Sequence, residues 1–429
     1  MEVSMLEKLA IYGGATVHDG NWPNWPQCTE NTRRNINAVL GSHRWSISGQ
    51  YRGQPSWEER FGKAFADYTG AGYCVPTSTG TASLSMALEA CEVGAYDEVI
   101  VPGVSWVASA SAVLGINAIP VLTDVEPDSG CLDPVALERA ITSRTRAITV
   151  VHLGSAVADL DRLVGIAQAH SIPLIEDCAQ AHGARYSGRH VGCFGAAGTF
   201  SMQHSKLLTS GEGGAVITDD VILARRLAHL RADGRTISAK PPGMDEMALV
   251  ESAEIMGSNH CLSEFHAAIL VAQLEALDEQ LAHRRCNAAV LDSFLDSLGF
   301  LPQATAPRTT ERSYYTYVVR LPQWIVEAQG SEQFAAALSA EIRLPCKAMY
   351  SALNQNRLYK PFSRNRFGLG KAFTDAVDPS RYQLPIAQEF SKSCIALPHR
   401  MLLANTNAIE HVAAAFEKVA RLIGNNPRT

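Results

Sequence analysis

The chain has 429 residues, 46% of them hydrophobic and 19% charged, a composition that suits one large core and a second smaller one. A formal charge of −6 and a pI near 6.1 provide no basic stripe and no polybasic tail, so nucleic-acid binding is not expected. The ten cysteines, among them Cys28, Cys91, Cys178 and Cys346, show neither C-x-x-C pairs nor His-rich ligand spacing, which argues against a zinc site or a disulfide framework and for a reducing, cytoplasmic setting. Met1-Glu2-Val3-Ser4 has no leader pattern and no apolar run reaches about eighteen residues, so neither export nor membrane spanning is expected.

Between positions 60 and 220, short β-branched runs alternate with helical patterns, the signature of an α/β fold with a mostly parallel sheet. In chain order the spacing predicts helix over 81–92, strand over 98–101, strand over 120–123, helix over 133–141, strand over 147–151, helix over 160–170, and strands over 173–176, 198–201 and 214–217. The amphipathic stretch from Leu262 to Asn287 reads as one helix leading out of a large domain, placed at 1–285. A small α+β domain, 286–429, then holds a strand at 316–320, an irregular excursion from Asn354 to Pro385 that reads equally as a lid or a subunit contact, and a closing helix over 407–423.

In such sheets ligands bind beyond the carboxyl ends of the strands, and those positions are rich in polar residues here. Thr77-Ser78-Thr79-Gly80-Thr81 sets small residues before a helix, a cradle in which the N–H groups of Gly80 and Thr81 suit a phosphate. Trp106 follows the strand at 98–101 and offers a flat face for stacking. Ile175-Glu176-Asp177-Cys178-Ala179-Gln180 ends one strand, and Ser201-Met202-Gln203-His204-Ser205-Lys206 ends another, just before a glycine-rich turn at 211–214. Taken singly, Asp177 is more often a helix cap, Lys206 a solvated lysine and Ser78 or Thr79 an N-cap without a ligand, while a buried structural tryptophan is as common as a stacking one. Together they suit pyridoxal 5′-phosphate (PLP), which needs an amine to bind its aldehyde and a carboxylate to keep its pyridine nitrogen protonated. Gln180 is placed for the ring hydroxyl and Ser201 for the phosphate. Gly211-x-Gly213 precedes a strand, unlike a dinucleotide fingerprint, and neither a P-loop nor a G-x-S-x-G elbow occurs.

These residues resemble the DegT/DnrJ/EryC1/StrS family of sugar aminotransferases over nearly the whole chain. The matching segments are Arg44 to Gly49, Asp97 to Gly103, Ile175 to Gly183, Phe200 to Lys206 and Gly257 to Phe265. The resemblance implies a type I PLP fold of the aspartate-aminotransferase kind, in a homodimer with active sites at the subunit interface. It implies Lys206 as the Schiff-base lysine, Asp177 as the pyridinium partner, Gln180 on the ring hydroxyl, Trp106 stacking, and Ser201 as a phosphate ligand. It also implies that Asn259 reaches the cofactor phosphate of the neighbouring subunit. Within the family the likeness points to the branch that aminates the cyclitol ketone 2-deoxy-scyllo-inosose with L-glutamine for aminoglycoside biosynthesis, with the later ketone 3-amino-2,3-dideoxy-scyllo-inosose as a second substrate. Open beside it stand scyllo-inosose or a nucleotide-linked keto sugar as acceptor, and a PLP-binding regulator without catalysis. Some members carry histidine in place of the lysine and dehydrate sugars; lysine at 206 favours transamination. The branch has an aromatic residue where this chain has Gly154, a departure expected to enlarge the pocket. Arg231 and Arg235 are candidates for the donor carboxylate.

Overall fold

The computed structural model describes residues 8–424 except 239–241, 253 and 366–367; Met1 to Ser4 lie outside the described residues. The chain opens with α1 (Glu30–Ser42) and α2 (Trp57–Thr69), then alternates β1 (Tyr73–Thr77), α3 (Gly80–Ala90), β2 (Glu98–Pro102), α4 (Ala108–Gly115), β3 (Ile119–Thr123), α5 (Pro134–Ala140), β4 (Thr145–Val151), α6 (Leu160–Ala169) and β5 (Leu174–Asp177). A hairpin of β6 (Arg185–Tyr186) and β7 (Arg189–His190) precedes β8 (Ala197–Ser201), β9 (Gly214–Thr218), α7 (Val221–Arg231), β10 (Arg235–Ile237), β11 (Leu249–Glu251) and α8 (Glu264–Glu275). Then come α9 (Leu277–Ser297), β12 (Leu301–Pro302), β13 (Thr309–Glu311), β14 (Thr316–Arg320), α10 (Gln323–Ala328) and α11 (Gly330–Ile342). The last elements are β15 (Lys347–Ala348), α12 (Lys371–Ala376), α13 (Pro385–Ser393), β16 (Cys394–Pro398) and α14 (Thr406–Gly424).

Seven strands form the central sheet in the order β1-β9-β8-β5-β4-β2-β3. β9 runs antiparallel to both its neighbours, and the other adjacent pairs are parallel. β2, β5 and β9 are buried along their whole length, as expected of strands covered by helices on both faces. β5 and β8 are direct neighbours with Asp177 opposite Thr199, so Asp177 and Ser201 leave the sheet at the same edge. Helix starts are chemically marked: Ser56 and Glu59 form a capping box on α2, and the Thr79 hydroxyl caps α3. β1 went unread in the sequence because Pro76 interrupts its pattern; the strand tolerates it at the sheet edge.

A second, antiparallel sheet, β12-β14-β16-β15, packs with α9, α11 and α14 around Phe300, Phe334 and Phe416. Leu9 and Trp22 from the start of the chain join this core. The expected single helix from Leu262 to Asn287 is two: α8 ends at Glu275, Ala276 separates it from α9, and α9 runs on to Ser297. The excursion after Leu353 is neither a free lid nor part of the small core. Leu353, Tyr359, Phe373, Val377, Leu384 and Phe390 are buried in the core of the central sheet, and the side chain of Asp124 accepts from the N–H groups of Ile386 and Ala387. Among the described residues no helix is long and apolar enough to cross a membrane.

Phe65 of α2 meets Phe200 of β8 edge-on, with centroids 5.0 Å apart, and both are buried. Phe65→Ala is expected to lower the free energy of unfolding by about 3–5 kcal/mol, read as a reduced urea midpoint at unchanged m-value. A loss below about 1 kcal/mol would show that the helix collapses onto the strand and fills the gap.

Candidate active site

The sheet edge gathers its polar residues through three strand ends. After β1, Thr79 accepts the N–H of Ala82 at 3.1 Å, which leaves the first-turn N–H groups of Gly80 and Thr81 for an acceptor from outside the helix. Gly80 sits against β8 so closely that an added Cβ would stand 2.5 Å from the Cβ of Ser201. The helix start and the Ser201 hydroxyl therefore border one small space, and only glycine permits it.

At the end of β5, Asp177 is buried and each of its carboxylate oxygens has a donor: Ser109 of α4 at 2.9 Å and the N–H of Ala179 at 3.2 Å. Burial pushes its carboxyl up from the ordinary value, opposed by these two bonds and by the nearby charge of Lys206. Lys206, in the turn after β8, is buried too, with Nζ 4.1 Å from the ring centroid of Tyr315. Burial raises the Tyr315 hydroxyl, but the charge of Lys206 and hydrogen bonds with Ser205, Tyr350 and Lys206 outweigh it and leave that hydroxyl below its ordinary value. Tyr350 moves the other way, pushed up by burial and by Tyr315.

Gln180 accepts the N–H of Gly154 on Oε1 at 2.8 Å, so its Nε2 is the group free to donate. Trp106 is not a core tryptophan: it is 49% exposed, with its ring centroid 6.0 Å from that of Tyr350. Asn259 is exposed and its Oδ1 accepts from the Cys261 N–H at 3.3 Å, in a segment tied to the turn after β1 by the Ser78 N–H, which donates to the His260 carbonyl at 2.8 Å. Thus Gly80, Ser201, Asp177 and Lys206 share one edge, Gln180 and Trp106 flank them, and Asn259 lies one residue from the His260 carbonyl that binds Ser78.

The chemistry of this donor set fits PLP. A helix start with two unclaimed N–H groups and a hydroxyl suits a phosphate, a buried carboxylate suits a protonated ring nitrogen, and a buried amine suits an aldehyde. His152, Glu176 and Cys178 also cluster, within 4.8 Å, but they serve the fold. Glu176 clasps the N–H groups of Gly192, Phe194 and Gly195, and His152 bonds to Glu176 and to the N–H of Ala158.

Residues 26–417 match the DegT/DnrJ/EryC1/StrS aminotransferase family model. The chain belongs to this family. It is 56% identical over 415 residues to the L-glutamine:scyllo-inosose aminotransferase of Streptomyces griseus, covering 97% of this chain and 98% of that one. It is 54% identical over 417 residues to the L-glutamine:2-deoxy-scyllo-inosose aminotransferase of Streptomyces lividus, with the same coverage. The crystal structure of 3-amino-5-hydroxybenzoic acid synthase superposes with a TM-score of 0.79 at 30% identity, covering 94% of this chain and 99% of that one. The chain is thus an aminotransferase, and its family and fold neighbours imply PLP as cofactor.

Two readings of this DegT-type site change with the geometry. Arg231 is buried in an ion pair with Glu58, whose carboxyl burial pushes up to about 7 against the pull of Arg231. Arg231 is therefore not held ready for a donor carboxylate, whereas Arg235 makes only a partly exposed pair with Asp233. Gly154 does not enlarge the pocket. Its φ of +66° favours glycine, and a Cβ there would lie 2.7 Å from Val318 Cγ2 and 2.8 Å from Gln303 Oε1. Tyr315, Tyr350, Trp25 and His399 around Lys206 went unseen in the sequence; the doublet Tyr314-Tyr315 just before β14 was the available signal.

His182, five residues beyond Asp177 and beside Lys206, is buried with neither ring nitrogen hydrogen-bonded among the described residues. Burial lowers it to about 3 from an ordinary 6.5, so the folded chain binds fewer protons than the unfolded one between those values, and stability is lost as pH falls through that window. Between pH 7 and 5 the cofactor-free protein is expected to lose about 2 kcal/mol more than His182→Leu in urea unfolding. Equal losses would mean that the ring is protonated in the fold.

Proposed function

We propose that the chain transfers the amino group of L-glutamine to 2-deoxy-scyllo-inosose, giving 2-deoxy-scyllo-inosamine, in the making of an aminoglycoside. One observation carries this reading: 54% identity over 97% of the chain to an enzyme named for that reaction, around an intact lysine and carboxylate. The 56% identity to the Streptomyces griseus enzyme favours scyllo-inosose as a second acceptor, since the two ketones share a ring and differ by one hydroxyl. The later 3-amino ketone presents a similar face and is a further candidate.

When bound, PLP supplies a carbonyl carbon that condenses with amines and a pyridinium ring that takes up the electron pair left when a neighbouring C–H loses its proton. In this reading Lys206 anchors the cofactor through Nζ. With PLP bound, the freed Nζ of Lys206 would be the group that moves a proton at the donor Cα and again at the ketone carbon. Asp177 holds the proton on the ring nitrogen from its dry strand end, where no water competes for it. Gln180 donates through Nε2 to the ring oxygen. The N–H groups of Gly80 and Thr81 and the Ser201 hydroxyl would hold the phosphate, and Trp106 would supply an aromatic face to the ring. Glutamine leaves as its 2-oxo acid, and the ketone carbon gains the amino group.

We also infer a homodimer, in which Asn259 serves the neighbouring subunit's phosphate. The exposed position of its loop supports this. Asn259→Ala is then expected to weaken PLP retention in dialysis without changing the fold.

The decisive test is spectroscopic. The purified protein should show a long-wavelength absorption band with PLP, lose it on L-glutamine and regain it on 2-deoxy-scyllo-inosose. Lys206→Ala should bind PLP without that band and show no steady-state turnover. Restoration by scyllo-inosose alone would move the acceptor assignment, and no band in the unaltered protein would overturn the role of Lys206.

A further inference from the structure

Lys206 is held by its backbone as well as by its pocket. The carbonyl of Ser205 accepts from His399 Nε2 at 3.1 Å, and the carbonyl of Lys206 accepts from the Trp25 indole N–H at 3.2 Å. Both carbonyls around the lysine are thus tied to residues far away in sequence, Trp25 ahead of α1 and His399 after β16. Lys206 is pinned from both sides.

His399 is in turn defined by Arg284 of α9, which donates from Nη2 to His399 Nδ1 at 3.1 Å. A guanidinium has donors only, so Nδ1 must accept and Nε2 must carry the proton that goes to Ser205. Burial holds His399 well below its ordinary value, so it stays neutral in this one tautomer. The guanidinium carbon of Arg284 stands 4.9 Å from the Trp25 ring centroid, and Trp25 meets His399 edge-on at 4.7 Å.

Arg284 itself is anomalous. It has no solvent exposure, Nε and Nη1 find no hydrogen-bond partner among the described residues, and desolvation is the one cause that moves it, down to about 9. It therefore remains a cation at neutral pH, and among the described residues no carboxylate pairs with it. A methionine of similar length would fill the space without that cost, so packing alone does not account for an arginine here.

We propose that Trp25, Arg284 and His399 form a positioning unit for Lys206, in which His399 and Trp25 fix its backbone and the unbalanced charge of Arg284 favours the unprotonated form of the group that Lys206 carries. The inference rests on the reading of Lys206 as the cofactor lysine. The charged and titratable groups that face Lys206 are Asp177 at the end of β5, His182 in the turn after it, Tyr315 with Tyr350 behind it, and His399 backed by Arg284 and Arg400. Of these, Asp177 opposes Arg284, and Arg400 adds to it.

The test is a pH titration of the long-wavelength band of the PLP-loaded enzyme beside steady-state kinetics. Arg284→Met should raise the midpoint of the band by about half a pH unit or more, because a nearby positive charge that disfavoured the protonated form is gone. Arg284→Lys, which keeps the charge, should hold the midpoint near that of the unaltered enzyme. Trp25→Phe keeps the ring and loses the N–H; it should lower kcat on the order of tenfold with KM for L-glutamine within about twofold, as expected for a misaimed lysine. An unmoved midpoint in Arg284→Met together with unchanged kcat in Trp25→Phe would overturn the proposal. If Arg284→Met does not fold, unchanged kcat in Trp25→Phe overturns it alone. Absence of the band from the unaltered enzyme would instead remove the reading of Lys206 on which the proposal stands.

Discussion

Asp177 and Lys206 are both buried at one edge of the sheet, with the charge of the lysine acting on the carboxyl, and much of the surrounding structure follows from keeping both there. A carboxylate out of water drifts toward its neutral form unless donors and positive charge hold it ionised. Ser109 and Ala179 supply the donors and Lys206 the charge, so removing the lysine would alter the carboxylate as well as the chemistry. The lysine lies over an aromatic face in Tyr315 and is tied at its backbone by Trp25 and His399. One buried pair thus recruits residues from the sheet, the N-terminal segment and the second core.

The sheet makes this affordable in entropy. β5 and β8 are hydrogen-bonded neighbours, so Asp177 and Ser201 are aligned by the ladder rather than by flexible loops. The Gly80 contact then sets the start of α3 against Ser201 with no room for a side chain. Three of the binding groups are in this way consequences of strand order, and a change in any of those strands would reach the site through backbone geometry.

How much of this was legible depended on distance along the chain. Six of the seven central strands, and the cluster of Gly80, Asp177, Gln180, Ser201 and Lys206, could be read because apolar runs and strand-end residues are local patterns. β1 escaped because Pro76 breaks its period, and the turn at Ala276 escaped because the apolar spacing carries on through it. The excursion from Asn354 to Pro385 has a loop-like composition, yet its scattered Tyr359, Phe373 and Leu384 bury against the central sheet. Nothing local marks Tyr315, Trp25 or His399 as neighbours of Lys206, since those contacts exist only once both cores are assembled. Arg231 is obscured for the same reason: its charge is visible in sequence, and its partner Glu58 is not.

Gly154 shows how a substitution can be misjudged when only the residue itself is considered. An aromatic side chain replaced by hydrogen suggests an empty volume, but the volume has been taken. Gln303 places its Oε1 there to accept from the N–H and hydroxyl of Ser155, and its Nε2 donates to the carbonyls of Ser129 and Leu153. Val318 fills the rest. The turn so fixed presents the Gly154 N–H to Gln180 and commits the amide of that residue to one orientation. The glycine therefore bears on how the site is oriented, through the one backbone amide whose direction it fixes.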